Sequence, residues 1–265
     1  MAEHKIVECE SWHYFKAHSI PELCDKEPFK RGVYLFRGHG SVKWSLMSSF
    51  DRSYIGKKRK EKYEMEKELI KLFQKDAQGV DIDNTIWGDP EKRLALAQHF
   101  GAPTRLLDWT ESPYIAAFFA YAGLELNPNR KEETQVAIWC LNTQSDIWSE
   151  ESGLKIVEVP SYGNDRLRSQ LGKFTHLKAP FDSLEEYVQS FDDNEALTQF
   201  RLPSSDVLIA LADLDVMGIN YPRLFAGLEG CGKATSLQLF KSRLTEEMAA
   251  AAANRPTGQN NQELS

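Results

Sequence analysis

The stretch that most constrains this chain is Ser112-Pro113 followed by Tyr114-Ile-Ala-Ala-Phe-Phe-Ala-Tyr121. Serine caps helix N-termini with its hydroxyl, and proline at the first helical position gives up an N–H that would have no partner there. The run behind them is apolar on every side, and a helix apolar all round must be buried. The rest of the chain therefore has to pack around residues 112–122. Just upstream, Arg105, Asp108 and Thr110 interleave with Leu106, Leu107 and Trp109 in what reads as a loop. Gly101 stops the preceding helix, which ends at Gln98 and His99, and Pro103 sets a tight exit. Charge is thus held beside the deepest helix. Because burying unpaired charge is costly, Arg105 and Asp108 should pair with each other, a neighbour or a ligand. Two readings stay open: an ion pair bracing the helix start, or the wall of a small cavity.

The 265 residues suit one large domain or two small ones, and no repeat or Ser/Gly linker divides them. A formal net charge of -7 argues against whole-domain binding to nucleic acid but leaves a local basic patch open. Cysteines 9, 24, 140 and 231 form no CxxC pair, and no secretory apolar segment opens the chain. A reducing, cytoplasmic setting is the simplest expectation. No apolar run reaches membrane-spanning length, and the six histidines show neither HxH nor HxxxH, so neither a membrane nor a metal is expected. Gly227-Leu-Glu-Gly-Cys-Gly-Lys233 imitates a phosphate loop but continues with Ala234 where Ser or Thr would hold Mg²⁺. It reads better as a loop into the last helix.

Taken in order, residues 8–23 predict an amphipathic helix, and Gly32–Phe36 a strand running into Arg37-Gly38-His39-Gly40-Ser41. Glycines there permit close approach by a ligand or another chain segment, or simply form a turn. Helices are expected over 57–76, from Asp89-Pro90 to Gln98, over 183–190, from Ser204 or Ser205 to Leu214, and over 234–248. The basic run Lys57–Lys60 reads as a solvated face. Strands are expected over 136–141 and 155–159, with 199–203 as an edge strand ending at Pro203. Asp165 would cap a short helix carrying Arg168 and ended by Gly172. These elements predict an α+β fold: a single mixed domain whose small central β-sheet is surrounded by helices. Residues 1–27 read as an N-terminal helical cap, 28–245 as the domain and 246–265 as a disordered tail.

Three blocks carry a resemblance. Phe36-Arg37-Gly38, with Trp44 and Arg52 downstream, resembles the tripeptide naming the FRG domain family. Gln98-His99-x-Gly101-x-Pro103-Thr104-Arg105-Leu106-Leu107-Asp108-Trp109-Thr110-x-Ser112-Pro113 continues it, and Arg168-x-Gln170-x-Gly172-x-Phe174-Thr175 is its loosest part. The resemblance spans about residues 28–240 and implies a bacterial or phage protein from toxin or phage-defence contexts. The chemistry of the site residues, rather than that family, suggests a second likeness: a transferase, and a fold, similar to the ADP-ribosyltransferases, which use NAD. In that group a short strand ends in a polar residue and Gly that hold the nicotinamide amide, and Phe36–Ser41 is similar in character.

On that reading Arg37, Gly38, Ser41, Arg105, Thr110 and Arg168 hold the nucleotide, the arginines gripping its phosphates. Arg37, His39, Gln98, Asp108 and Gln170 surround the reacting ribose, and the acceptor is a macromolecule, protein or nucleic acid. The glutamate such enzymes commonly carry before the acceptor is not identifiable; Glu111 at a helix start is more simply a dipole-capping charge. Two other readings remain: a non-catalytic module recognising a nucleotide or RNA end, and a nuclease-like effector with His39 or His99 as general base. If the blocks build one site, Arg37, Gln98, Arg105, Asp108 and Gln170 line a common cleft.

Overall fold

A computed structural model describes residues 4–25, 32–159 and 168–253. Its centre is a mixed sheet of seven strands: β1 (Lys5–Glu8), β2 (Tyr34–His39), β3 (Leu106–Thr110), β4 (Gln135–Asn142), β5 (Leu154–Val157), β6 (Gly172–Leu177) and β7 (Leu197–Pro203). The spatial order is β1-β7-β4-β2-β3-β6-β5. Only β1 and β7 run parallel; every other pair is antiparallel. The fold is α+β as expected, but the sheet is larger than the sequence suggests. β3 and β6 hide because polar residues alternate with apolar ones inside them, and β1 because only four residues carry it. With β1 in place, β7 lies inside the sheet rather than at its edge, and Pro203 is tolerated as the strand's last residue.

The Pro113–Ala122 helix is buried along nearly its whole length, capped by the Ser112 side chain with Pro113 in the first turn. It lies on the β2, β4 and β7 half of one sheet face, where Phe36, Ile138, Cys140 and Phe200 meet Ile115, Phe118 and Tyr121. The other half of that face is covered by the Pro90–His99 helix, whose Leu94 and Ala95 pack on Leu106, Val157 and Phe174. Strand alternation sends Leu35, Leu107, Trp109 and Trp139 to the opposite face, against the Leu184–Gln189 helix. Gly101 ends the Pro90–His99 helix with φ +91°, as its position predicts.

Three expectations change. Leu171 at φ +50°, rather than Gly172, makes the left-handed turn before β6, and Gly172 opens that strand. The motif after Gly227 is not a loop: the last helix spans Leu228–Ala253, so residues 228–233 of the near-miss phosphate motif are helical backbone. That helix also continues through residues 246–253, which were expected to belong to a tail, while 254–265 and Asp165 lie outside the described residues. Among the described residues no helix is long and apolar enough to cross a membrane.

Candidate functional site

β2 pairs with β4 along all six of its residues but with β3 only at Phe36↔Thr110. Beyond that point the two strands part, and the gap is filled by side chains rather than ladder hydrogen bonds. Arg37 shares a face with Leu35, and Asp108 the opposite face with Leu106. They meet at the split. Arg37 Nη1 donates to the Asp108 carbonyl at 2.7 Å and lies 3.9 Å from its Oδ2. Arg37 Nε donates to His39 Nε2 at 3.0 Å. Since a guanidinium can only donate, the His39 proton sits on Nδ1, which donates to the Trp44 carbonyl at 3.1 Å. Burial, with the nearby charges of Arg37 and Arg52, pushes the His39 pKa down to about 3. His39 is therefore neutral with both ring nitrogens engaged.

The Asp108 carboxylate is fixed from the other side. Gln98, at the end of the Pro90–His99 helix, donates through Nε2 to Asp108 Oδ1 at 2.8 Å. The Gln98 amide is itself oriented, because its Oε1 accepts from the buried Thr104 hydroxyl. Even so, the Asp108 side chain is 64% exposed. It is a carboxylate aimed at solvent and held still by neighbours, beside the Arg37 cation, which Arg52 in turn lies near. That differs from the sequence expectation, in which Asp108 was buried and held by Arg105 or by N–H groups of the next helix.

The remaining candidates are placed elsewhere. Arg105, 3% exposed, donates through Nε to Asp51 Oδ1 at 3.2 Å. Asp51 also accepts from Lys62 Nζ at 2.9 Å, and Lys62 continues to Asp182. This buried chain anchors the Ser49–Ser53 helix, in which Arg52, the residue after Asp51, donates to the Met47 carbonyl at 2.7 Å and lies near enough to Arg37 for their charges to interact. Arg105 thus positions that helix rather than joining the Arg37 group. Gly38 has its open face filled: a Cβ there would lie 1.9 Å from the Ala116 carbonyl oxygen. The close approach its sequence permits is made by the central helix. Ser41 donates to Glu133, Thr110 accepts from the Ser112 N–H at 3.1 Å, and Gln170 donates to the Leu224 carbonyl at 3.1 Å. Arg168 lies exposed where the described chain resumes.

The structure accordingly brings Arg37, His39, Gln98 and Asp108 together, adds Thr104 and Arg52, and keeps Arg105 and Gln170 apart from them. Asp51 and Glu133 escaped the sequence reading, since nothing local distinguishes a buried ion-pair partner from an ordinary surface carboxylate. Among the described residues no group of three or more His, Cys, Asp or Glu is arranged to hold a metal.

Residues 32–128 match the family profile of the FRG domain. This chain carries an FRG domain. The matched segment runs from the start of β2 past the central helix, so it contains the whole Arg37–Asp108 cluster but not the block around Gln170. No curated protein and no solved structure matches the chain. Within the FRG domain, the residues of the two stronger motif blocks divide between two tasks: Gly38, Thr110, Ser112 and Pro113 seat the central helix, whereas Arg37, Gln98 and Asp108 converge at the strand split.

Proposed function

We propose that this FRG-domain protein binds a ribonucleotide, NAD foremost, at the split between β2 and β3 and transfers its ADP-ribosyl group to a macromolecule. The observation that carries the reading is the Asp108 carboxylate, exposed yet held by Gln98 and flanked by Arg37, with Arg52 near that arginine. Glycosidic C–N cleavage releases neutral nicotinamide and builds positive charge on the ribose, which a fixed carboxylate stabilises. The acceptor's attacking hydroxyl or amine then forms the new bond and loses its proton to Asp108 as base. Arg52 is exposed and takes a phosphate oxygen; Arg37 holds the Asp108 backbone in place. Gly38, Ser41 and Thr110 have structural partners and support the ligand only through the frame they build.

Of the two histidines open to the nuclease-like alternative, His39 has its lone pair engaged by the Arg37 N–H, which leaves His99 as that reading's general base. Non-catalytic nucleotide recognition uses the same residues and differs only in turnover. Purified protein incubated with labelled NAD and cell lysate should place label on macromolecules. Asp108→Asn should abolish that labelling while melting near wild type, because an exposed ion pair contributes roughly 0–1 kcal/mol. Saturable binding without transfer would support the recognition module instead. If millimolar NAD neither shifts the melting temperature nor labels any acceptor, the proposal fails.

A further inference from the structure

A second site lies on the same sheet face, beside the Asp108 cluster but outside it. The Arg59–Asp76 and Pro90–His99 helices flank a groove of about 1350 Å³ whose floor includes His176 and Lys155, and Arg105 borders it. Eight Lys and Arg side chains line it against four Asp and Glu. In a chain of net charge -7, that is a marked local reversal.

The four carboxylates are committed: Glu66 to His176, Glu91 to Lys155, Glu150 to Lys178, and Asp89 to the first N–H groups of its helix. Three buried nitrogens on the lining residues have no hydrogen-bond partner: Arg105 Nη2, His176 Nδ1 and Arg93 Nε. Arg105 and His176 are each 3% exposed. Orphaned buried polar atoms are costly, and here three of them share one basic groove. Arg105 Nη2 and Arg93 Nε belong to guanidinium groups that only donate, whereas His176 Nδ1, whose ring partner Nε2 donates to Glu66, carries a lone pair.

We propose that this groove binds single-stranded nucleic acid. Its cations are strung along the long helix from Arg59 to Lys71 rather than gathered at one point, as suits a chain of phosphates. Between them Tyr63 is 51% exposed, with Lys67 Nζ over its ring at 4.0 Å, and Ile70 and Leu94 add apolar surface. An exposed aromatic set among cations is the arrangement that stacks unpaired bases. The basic run at Lys57–Lys60 thereby acquires a role, since Arg59 and Lys60 open the groove.

The test is fluorescence anisotropy with a labelled uridine oligonucleotide of about 12 residues. NAD is left out, so the result stands apart from the transferase reading. Binding should weaken steeply between about 50 and 200 mM salt. The exposed pair Lys67→Glu/Lys71→Glu should melt like wild type yet bind about tenfold more weakly, with a shallower salt dependence. Tyr63→Ala should lower affinity with the salt slope unchanged. No oligonucleotide binding at low salt overturns the proposal, as do unaltered binding by both variants and equal binding of poly-glutamate. Competition by inorganic phosphate as strong, per phosphate, as that by the oligonucleotide would reduce the groove to a simple anion site and also overturn it.

Discussion

The residue that answers most directly to solution conditions is His39. Its folded pKa is depressed to about 3 by burial, by Arg37 and by Arg52, against an unfolded value near 6.5. Between those values the unfolded chain binds the extra proton and the folded chain does not. Its contribution is thus fully present above about pH 6.5 and is lost as pH falls toward 3, by at most about 1.4 kcal/mol per pH unit. Urea midpoints taken from pH 7 down to pH 4 should show that slope, and His39→Gln should flatten it. Arg37→Ala removes both a donor to His39 and a depressing charge, so the His39 pKa should rise, read from its ring proton shifts in NMR. Arg37→Lys keeps the charge without the fork that spans His39 Nε2 and the Asp108 carbonyl, and should fall between wild type and Arg37→Ala in melting temperature.

At the scale of elements, the fold depends on how near the Pro113–Ala122 helix comes to β2. Adding a single methyl at Gly38 places it 1.9 Å from the Ala116 carbonyl oxygen and 2.5 Å from the Ala120 nitrogen, both backbone atoms. Neither can yield without moving the helix. Gly38→Ala should cost roughly 3 kcal/mol or more, a fall of about 10 °C in melting temperature at this chain length. Gly56→Ala, where nothing lies within 4 Å, separates this effect from strain, because its φ of +76° makes backbone strain the only cost there. The Ser49–Ser53 helix is held differently, by charge. Asp51→Asn leaves Arg105 and Lys62 buried with one carboxylate partner fewer and should destabilise by roughly 3–5 kcal/mol. Measuring nucleotide-induced stabilisation in that variant tells whether Arg52 depends on the anchored helix for its position.

The whole molecule is held together by sheet pairings that cross the FRG match. Residues 32–128 contain β2 and β3, which share a single paired position, whereas β2 finds its full ladder on β4 and β3 on β6. Both of those strands lie beyond residue 128. A fragment cut at 32 and 128 should therefore be unfolded by circular dichroism and amide dispersion, although it holds the whole Arg37–Asp108 cluster; a folded fragment would mean that β2 and β3 pair differently in isolation. The N-terminal segment is likewise integral: β1 adds to β7, and Trp12 donates through its backbone N–H to Asp206 and through its indole to Asp213, both at 2.8 Å. Removing residues 1–25 should lower stability sharply instead of trimming a dispensable cap.

Sequence alone determined the central helix with its Ser112 cap and Pro113, the long Lys/Glu-rich helix, the stop at Gly101, the α+β class and the likeness of residues 32–128 to the FRG domain. Each of these rests on local chemistry: periodicity, capping, or a motif read residue by residue. Tertiary structure alone decided which motif residues act together. Arg37 and Asp108 lie on opposite faces of neighbouring strands, and only the parting of β2 from β3 lets one reach the other. Arg105 carries the same charge in an equally strong motif, yet a carboxylate 54 positions away draws it into the core. The basic groove is equally invisible along the chain, because its cations come from two helices, from β5 and from the ends of β3 and β6, brought together by packing. A side chain's type is written locally, but its partner is chosen by long-range contact, where burial makes an unpaired charge too costly to leave alone.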